Sequence, residues 1–551
     1  MIQKYFWLCC LALAFCCPAE GVSLPPSEDV VTPQNGWEQV VQVRLEKLVN
    51  EVVRRNASVI GDYLQAKISQ ERIRSEEGIF EPLFETSITK QQNHTPNTTL
   101  DVLTRQQNDY FENVNEFNVG FNGKISSGAT WDLKFVDRQR SSSIIEKYRN
   151  YQYEYDNLLK LSLGQPILKG FGRDTMRAKI EMAKVQSEID DSKYEQKMME
   201  LVAITIQSYW RLYGSQQICQ TWERSVKIAE DGLKDLRSLS AGGKVPQTDL
   251  MEAESALSSR RAELYNASSR VIEAQNQLMT LLNVSAYDFR NIQFLPIDDP
   301  FSVYNDISDG DSYVGIALVK WPEYRIARKK VESERIQVTY SQNQLLPQLD
   351  LVGSVSLNSL DPDREPALQG VVKSDFFSWS AGFKFSLPIL DNAQARGALT
   401  IARIRARQAE VELDALGKSL ANSMHSKIAA LIGQRDQLRE YEKGLKIRKQ
   451  LLEIEQTKLK LGHISLKKLL DQEEEYVNYQ RKAFSGVMNY KLGEATFEIA
   501  LGSILEKYNV DRLDIRRSDR FTHGETTLVM PQRLEMKYLG EDAPAAAGLI
   551  R

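Results

Sequence analysis

A turn followed by a long helical pattern occurs twice in this chain, in the same register. The phrase GKVPQTDLME at residues 243–252 returns as GHISLKKLLD at residues 462–471. The spacing between the two copies is kept to the end of the pattern, because Leu501-Gly502 answers Leu282-Asn283 at the same separation. A register held over that length indicates one long helix that has been duplicated.

The repeat extends upstream of these helices. The stretch IFEPLF at residues 79–84 corresponds to LLPQL at 345–349, and LSLGQPIL at 161–168 corresponds to FSLPIL at 385–390. Each half therefore reads as a helix, strands and two long helices, which predicts an α+β chain of two tandem structural repeats. Solenoid units are only about 20 to 50 residues long, so this much longer period favours duplication of a whole architectural unit.

The same patterns suggest boundaries along the chain. We expect a first repeat over residues 37–285 and a second over residues 313–505. Residues 286–312, rich in Asp, Pro and Ser, are expected to be a linker with room for a short connector helix. Residues 506–551 lose their periodicity and are expected to form a flexible C-terminal tail.

The N-terminus has the layout of a secretory signal. Residues 5–17 read YFWLCCLALAFCC, a run too short to span a bilayer, preceded by Lys4 and followed by small residues up to Gly21. We therefore assign residues 1–21 to a signal peptide. Two other interpretations are lipidation of Cys16 or Cys17 at an imperfect lipoprotein motif and a buried apolar N-terminal helix.

Composition argues against several functions. The formal net charge is −4 and no basic block is present, so nucleic-acid binding has little support. Removal of the signal would leave Cys219 as the single cysteine, which can form neither an intrachain disulfide nor a thiolate metal site. The four histidines are scattered without metal-ligand spacing. We expect no cofactor, no metal and no enzymatic activity.

The strands of the second half alternate between an apolar and a polar face. Odd-numbered residues from Leu349 to Leu357 and from Phe377 to Leu387 are mostly apolar, and the residues between them are mostly polar. Such strands are typical of a barrel wall with lipid outside and water inside. An ordinary half-buried antiparallel sheet has the same pattern. The signal sequence and the lack of elements to cover these strands favour the membrane.

The first half has more room for strands than the second. The stretch from Pro82 to Pro166 is about twice as long as the matching stretch from Pro347 to Pro388. We expect an extra hairpin there, turning tightly at Ser126-Ser127-Gly128, and whether it joins the wall stays open. Residues 91–115 read as a long polar loop, and residues 37–79 read as one helix.

The helices after each strand region carry a heptad-like seam. From Leu250 to Leu281 small or apolar residues recur at three- and four-residue spacing, interrupted at Arg260. The seam returns in the second repeat from Leu469 to Ala500, with more aromatic residues and glycine. The core of an ordinary helical bundle explains this spacing equally well.

Taken in order, these phrases resemble the TolC-like outer-membrane efflux proteins over roughly residues 37 to 505. The resemblance implies a homotrimer in the cell outer membrane, in contact with its lipid, in which the chains share one β-barrel and build a long periplasmic α-barrel. It also implies a passive exit duct of a tripartite efflux or type I secretion system. The expected partners are a periplasmic adaptor and an inner-membrane pump of the RND or ABC type.

The resemblance also implies roles for particular residues. Gly243 and Gly462 would form turns at the periplasmic tip, where Asp249 and Glu252 of the first repeat meet Lys468 and Asp471 of the second. Asp471 matches one acidic position of the family's constriction, and Lys468 stands where a second carboxylate is expected. A solvated helix face with i, i+3 pairing is the alternative.

Other family positions are altered or structural. Leu459 and Ile464 replace a tyrosine and an arginine of the closing contacts, so a gate held by those polar links is not expected. Strand-to-helix joints are expected at Pro166, Gly170 and Gly172 in the first repeat and at Pro388 in the second. These four joint residues are assigned no binding role.

Two other functions compete with the duct. A secreted coiled-coil structural or adhesive surface protein would carry heptads without alternating strands near residues 349 to 387. A secreted enzyme would carry a convergent nucleophile, base or metal cluster.

Overall fold

A computed structural model describes residues 39–105, 107–149, 151–241, 246–285, 292–301, 310–373, 376–461 and 463–510. The proposed signal, most of the expected tail, and the tip glycines Gly243 and Gly462 lie outside these residues. Among the described helices, none combines the length and the apolar character needed to cross a membrane.

Four long helices dominate the chain and confirm the duplicated pattern. In each repeat a very long helix is followed, after a short turn, by one about half its length. The first pair is α5 (Arg173–Ala241) and α6 (Gln247–Leu281), and the second is α10 (Ala393–Lys460) and α11 (Leu466–Leu501). At a rise of about 1.5 Å per residue, α5 and α10 each extend roughly 100 Å.

The long helices pack side by side in a single layer. Near the strands α5 packs against α2 (Ala57–Glu77) on one side and α8 (Pro322–Gln344) on the other, and α8 packs against α10. Towards the turns α5 lies between α6 and α11, and α11 packs against α10. The edges of the layer are therefore α2 and α6 on one side and α10 on the other.

The expected single helix over residues 37–79 is wrong. Residues Gln39–Val43 form strand β1, and the helical part is broken at Asn56 between α1 (Leu45–Arg55) and α2. Asn56 has extended backbone dihedrals, and its side chain accepts a hydrogen bond from the Ser58 N–H, which caps α2. The run QVVQV fits periods of both two and 3.6 residues, so periodicity did not separate strand from helix here.

The segment between the repeats is also partly strand. Residues Ile292–Pro296 form β6, which pairs in parallel with β1, where a short connector helix was expected. Helix α7 (Gly310–Lys320) then leads into α8. The main hydrophobic core lies at this level, where α1, β6 and the middle of α5 meet, with Val49, Tyr209 and Phe294 buried.

Six long strands form one antiparallel sheet beyond the ends of α2, α5, α8 and α10. The strands are β2 (Leu83–Pro96), β3 (Asp109–Lys124), β4 (Thr130–Ser142), β5 (Glu154–Pro166), β7 (Gln348–Asp361) and β8 (Phe376–Ser386). Their order is β2-β3-β4-β5-β7-β8. The expected extra hairpin is present, and its tight turn contains Gly128 at φ +96°.

The expected loop over residues 91–115 is wrong. Strand β2 continues to Pro96 and β3 starts at Asp109, with the short helix α3 (Thr99–Arg105) between them. These strand ends extend past the apolar part of the sheet. The end of β2 is polar on both faces, and in β3 the apolar residues Tyr110, Phe111 and Val114 fall on both faces, so the alternation that marks a strand disappears from the sequence.

The connections between strands at the end of the sheet away from the long helices are longer than the β3–β4 turn at the end next to them. Short helices α4 (Ser143–Tyr148) and α9 (Arg364–Lys373) follow β4 and β7 at the end away from the long helices, as α3 follows β2. The predicted strands with alternating apolar and polar residues are present as β7 and β8. The coiled-coil surface-protein alternative required that no such strands occur near residues 349 to 387, so it is contradicted.

The beginning of the expected tail belongs to the folded body. Helix α12 (Ile504–Lys507) has Ile504 and Leu505 buried, Val510 is 9% exposed, and the Asn509 side chain donates a hydrogen bond to Glu46. Residues 506–510 are therefore packed, and residues 511–551 are outside the described chain.

Candidate functional site

The two helical hairpins turn at the same end of the molecule. Helix α11 begins with Ser465, whose hydroxyl accepts a hydrogen bond from the Lys468 N–H at 3.3 Å. Helix α6 begins after Pro246, whose carbonyl accepts from the Asp249 N–H at 3.2 Å. Both predicted helix starts are confirmed, and the predicted gate residues lie in or next to the first turns.

A groove of about 860 Å³ lies between the two hairpins at this end. Asp249, Glu252 and Asp471 all line it. The lysine that faces them is Lys467, whose Nζ lies 3.4 Å from Glu252 Oε2. Lys468 is exposed and does not line the groove. The structure thus brings three of the four predicted side chains together, and the adjacent lysine takes the place expected for Lys468.

The two altered family positions line the same groove. Leu459, at the end of α10, packs against the cluster formed by Leu257, Leu470 and their neighbours. Ile464 lies between α10 and α11. The end of the hairpins is therefore joined by apolar contact at these positions, and the acidic side chains stand on the rim.

A buried polar layer lies behind the groove. The Arg260 side chain is 8% exposed and donates from Nη2 to the Leu470 carbonyl at 2.8 Å. Glu473 is 4% exposed and accepts from the Ser225 hydroxyl at 2.6 Å. Burial raises the pKa of the Glu473 carboxyl, against the Ser225 hydrogen bond and the charge of Arg260. This layer ties α5, α6 and α11 together.

Sequence reasoning found only part of this layer. Arg260 was visible as the single interruption of the α6 seam. Glu473 stands one residue from the seam position of α11, in a run of three glutamates, and nothing local separates the buried one from its exposed neighbours.

The predicted strand-to-helix joint of the first repeat is hydrogen-bonded to the second repeat. Gly170 and Gly172 have φ values of +82° and +97°, which favour glycine. The Gly170 N–H donates to Asn343 Oδ1 at 2.7 Å, and Asn343 Nδ2 donates to the Leu168 carbonyl at 3.2 Å. Pro166 is the last residue of β5.

The matching joint of the second repeat is looser. Pro388 is exposed and follows the end of β8 at Ser386. Ile389 and Leu390 beside it are 98% and 87% exposed. The joint of the first repeat is therefore half-buried and hydrogen-bonded, whereas that of the second is exposed.

Comparison with known proteins agrees with this architecture. A family model described as "Outer membrane efflux protein" matches residues 132–284 and 314–491, more than half of the chain. No curated protein sequence matches well enough to count as a relative.

Solved channel structures share the fold at low sequence identity. The Campylobacter jejuni CmeC outer membrane channel aligns with a TM-score of 0.59 at 14% identity, covering 90% of this chain and 99% of that one. The open state of the Neisseria gonorrhoeae MtrE outer membrane channel gives 0.58 at 17% identity, covering 84% and 89%. CusC gives 0.58 at 14% identity, covering 89% and 99%.

Proposed function

This chain belongs to the outer membrane efflux protein family, and from that premise we propose that it is a passive exit duct through the outer membrane. Three copies would form the duct and receive cargo from a periplasmic adaptor and an inner-membrane pump of the RND or ABC type. The system would be a tripartite efflux pump or a type I secretion system. The protein itself would carry no catalytic site.

The observation that carries this proposal is the open sheet at one end of very long helices. The sheet has two unpaired edges, β2 and β8. In lipid every backbone N–H and C=O must find a partner within the protein, so an open edge cannot face the hydrocarbon. Membrane barrels need at least about eight strands, and one chain supplies six, so closure needs more than one copy.

The edges of the helical layer support the same assembly. Helix α10 carries exposed apolar residues in stripes, with Ile401, Ile404 and Val411 near the sheet and Ile447, Leu451 and Ile454 near the turns. The opposite edge carries Ile60, Leu64 and Ile68 on α2, and Met251, Tyr265 and Ile272 on α6.

The exposed apolar residues of the two edges lie at matching distances from the sheet. Ile401 on α10 and Ile68 on α2 each lie a little more than two helical turns from the sheet end of their helix. Val411 and Ile60 each lie about five turns from the same ends. Two different edges that fit each other generate a head-to-tail contact, and such contacts close into a ring when the rotation permits.

The acidic groove at the hairpin ends would act as the gate. In a ring of three, the carboxylates of Asp249, Glu252 and Asp471 would be gathered near one axis, where they would attract cations. Lys468, exposed on α11, would reduce that charge, and Lys467 would do so through its contact with Glu252. Leu459 and Ile464 would close the hairpins by apolar contact.

The first test is the detergent-corrected native mass of the mature chain from an outer-membrane fraction. We expect a trimer that conducts ions when reconstituted in a planar bilayer. A stable monomer, or a chain absent from that membrane, would overturn the proposal.

The gate has its own test. Asp471→Ala together with Lys468→Ala should change the ion selectivity or conductance of the reconstituted pore without dissociating the trimer. Lys482→Ala, an exposed position of α11 away from the groove, is the control and should leave permeation unchanged. Unaltered permeation in the double variant would remove Asp471 and Lys468 from the gate.

A further inference from the structure

Two strands of the sheet have no counterpart in the other repeat. Strand β2 follows α2 as β7 follows α8, and β5 precedes α5 as β8 precedes α10. The first repeat inserts the hairpin β3–β4 between its two matching strands, whereas β7 and β8 are neighbours. The inserted hairpin is therefore in the middle of the sheet and not at its edge.

Both flanks of the inserted hairpin are fully paired. The ladder between β2 and β3 runs from Leu83↔Asn122 to Pro96↔Asp109. Strand β3 pairs with β4 from Glu112↔Ser142 to Lys124↔Thr130, and β4 pairs with β5 from Thr130↔Gly164 to Arg140↔Glu154. The hairpin cannot leave the sheet without breaking two ladders and exposing β2 and β5.

The inserted strands also continue the apolar face of their neighbours. Because directly paired residues share a face, each row of the register can be followed across all six strands. One row reads Thr86, Val119, Phe135, Leu159, Leu357, Phe377, and the next reads Phe84, Phe121, Leu133, Leu161, Val355, Trp379. The alternate rows are mostly polar, for example Glu85, Gly120, Lys134, Lys160, Ser356, Ser378.

We propose that all six strands of each copy are staves of the lipid-facing wall, so that three copies close a barrel of 18 strands. Two strands per repeat would instead give a barrel of 12. This inference rests on the proposed trimer. The closing contact would join β8 of one copy to β2 of the next, and the order of the sheet makes these two strands antiparallel, as their internal neighbours are.

The width of such a wall fits the helices beneath it. Strands about 4.8 Å apart and tilted by about 40° each take up roughly 6 Å of circumference, so six strands span roughly 38 Å. Four helices packed about 8–10 Å apart span roughly 32–40 Å. Four strands would span only about 25 Å. With six strands per copy, the sheet and the helical layer therefore have nearly equal widths where they meet. The closed barrel of 18 strands would be about 36 Å across.

Cysteine pairs within one chain test the number of staves. The background variant is Cys219→Ser, because Cys219 is the free thiol of the described chain. Thr86→Cys with Val119→Cys joins directly paired residues of β2 and β3 and should form a disulfide on oxidation in the membrane. Thr86→Cys with Leu159→Cys should not, because three strand spacings separate them by about 14 Å.

The opposite pattern would overturn the inference. If the inserted hairpin left the wall, β2 would pair with β5, and the Thr86–Leu159 pair would cross-link efficiently. These two variants report on each chain by itself, so they remain informative even if the complex is not a trimer.

Pairs between chains test the closure. Thr86→Cys is combined in turn with Phe377→Cys, Trp379→Cys, Ala381→Cys or Phe383→Cys, all on the apolar face of β8. We expect at least one combination to give covalent dimers and trimers on a denaturing gel. Native trimers without any such product would disprove closure through β2 and β8. Native monomers would overturn the proposed function instead.

Discussion

The two helical hairpins hold the same place in the two repeats, yet their surroundings differ. Helix α5 lies in the middle of the layer, and Ile204 is its one exposed large apolar residue among those described. Helix α10 lies at the edge and leaves six exposed. Duplication thus produced two similar helices, and position in the layer decides which of them is covered. The uncovered one is the surface that a neighbouring copy would bury.

The hairpins also differ inside. Arg260 of α6 corresponds to Tyr479 of α11 when the two repeats are aligned on their turns. At this level Ser225 and Arg260 of the first hairpin contact Glu473 and the Leu470 carbonyl of the second, so a buried polar and charged layer lies between the two hairpins. The second places the Tyr479 ring over α10 at Gly444, next to Tyr441 at a ring-centroid distance of 5.9 Å. The first hairpin is thus held to the second by polar and charged groups, and the second is closed by an aromatic side chain fitted to a glycine of its own.

The largest effect is expected from charging the uncovered helix. Ile447→Glu with Ile454→Glu should leave a folded chain that no longer forms the trimer. Burying an isoleucine is worth about 1.5–3 kcal/mol, so each contact would lose roughly 3–6 kcal/mol, before the cost of burying carboxylates. Native mass in detergent and circular dichroism are the measurements.

The control for this variant is Gln450→Glu, an exposed polar position of the same helix. This control variant should still form the trimer. A trimer that survives the double substitution would show that the α10 stripe does not meet a second copy, and the difference between the hairpins would then have another cause.

The next largest effect is expected in the charged layer between the two hairpins. Arg260→Met should destabilise the chain by about 3–5 kcal/mol, because it removes the positive charge near buried Glu473, the ion pair with Glu474 at 3.8 Å and the donor of the Leu470 carbonyl. The free energy of unfolding from denaturant titration is the measurement.

The neighbouring arginine provides a matched control. The Arg261 side chain is 53% exposed and pairs with Glu230, so Arg261→Met should change stability by less than about 1 kcal/mol. Equal losses from the two variants would mean that Arg260 contributes no more than a surface charge.

A smaller effect separates two glycines of the second hairpin. A Cβ at Gly444 would lie 2.0 Å from the Tyr479 hydroxyl oxygen, whereas a Cβ at Gly433 meets nothing within 4 Å. Gly433→Ala should stabilise α10 by about 0.5–1 kcal/mol, because alanine loses less backbone freedom in a helix. Gly444→Ala should instead destabilise by about 1–3 kcal/mol, because Tyr479 must move.

Thermal unfolding of the two alanine variants side by side measures this difference. A gain in stability for both would mean that the Tyr479 ring moves away freely. The second hairpin would then lack the fitted aromatic contact that distinguishes it from the first.

The sequence was informative where a signal repeats along the chain. The four long helices, the alternating strands and the ends of the hairpins follow from periodicity and from the constant spacing between the two repeats. Periodicity fails where both faces of an element have the same character. The ends of β2 and β3 are such a case, because β2 is polar on both faces there and β3 has apolar residues on both, and the short strand β1 is too brief to fix a period.

The candidate site shows a second limit. The resemblance to the efflux family placed Asp249, Glu252 and Asp471 near one another, and all three line the groove. It named Lys468, whereas Lys467 contacts Glu252. Adjacent residues of a helix point about 100° apart, so the lysine that faces the groove depends on how α11 is rotated against α6. Burial of Glu473 likewise requires three helices to meet.

The smallest effect expected is a change with pH, confined to the charged layer between the two hairpins. The pKa of Glu473 is raised above its usual value of 4.5 by burial, so the folded chain binds this proton more readily than the unfolded chain. Stability contributed by the protonated carboxyl is present below about pH 4.5 and is lost as the pH rises through the folded pKa. Glu473→Gln, which stays neutral, should therefore gain stability relative to the native chain as the pH rises from about 4.5 towards neutrality.

Thermal unfolding of both chains across that range measures the difference, with Glu273→Gln as the control because Glu273 is an exposed glutamate of α6. A difference that does not vary with pH for Glu473→Gln would mean that Arg260 and Ser225 fully offset the burial of the carboxylate. The charged layer would then join the helices without destabilising them at neutral pH, just as the aromatic contact at Tyr479 does in the second hairpin.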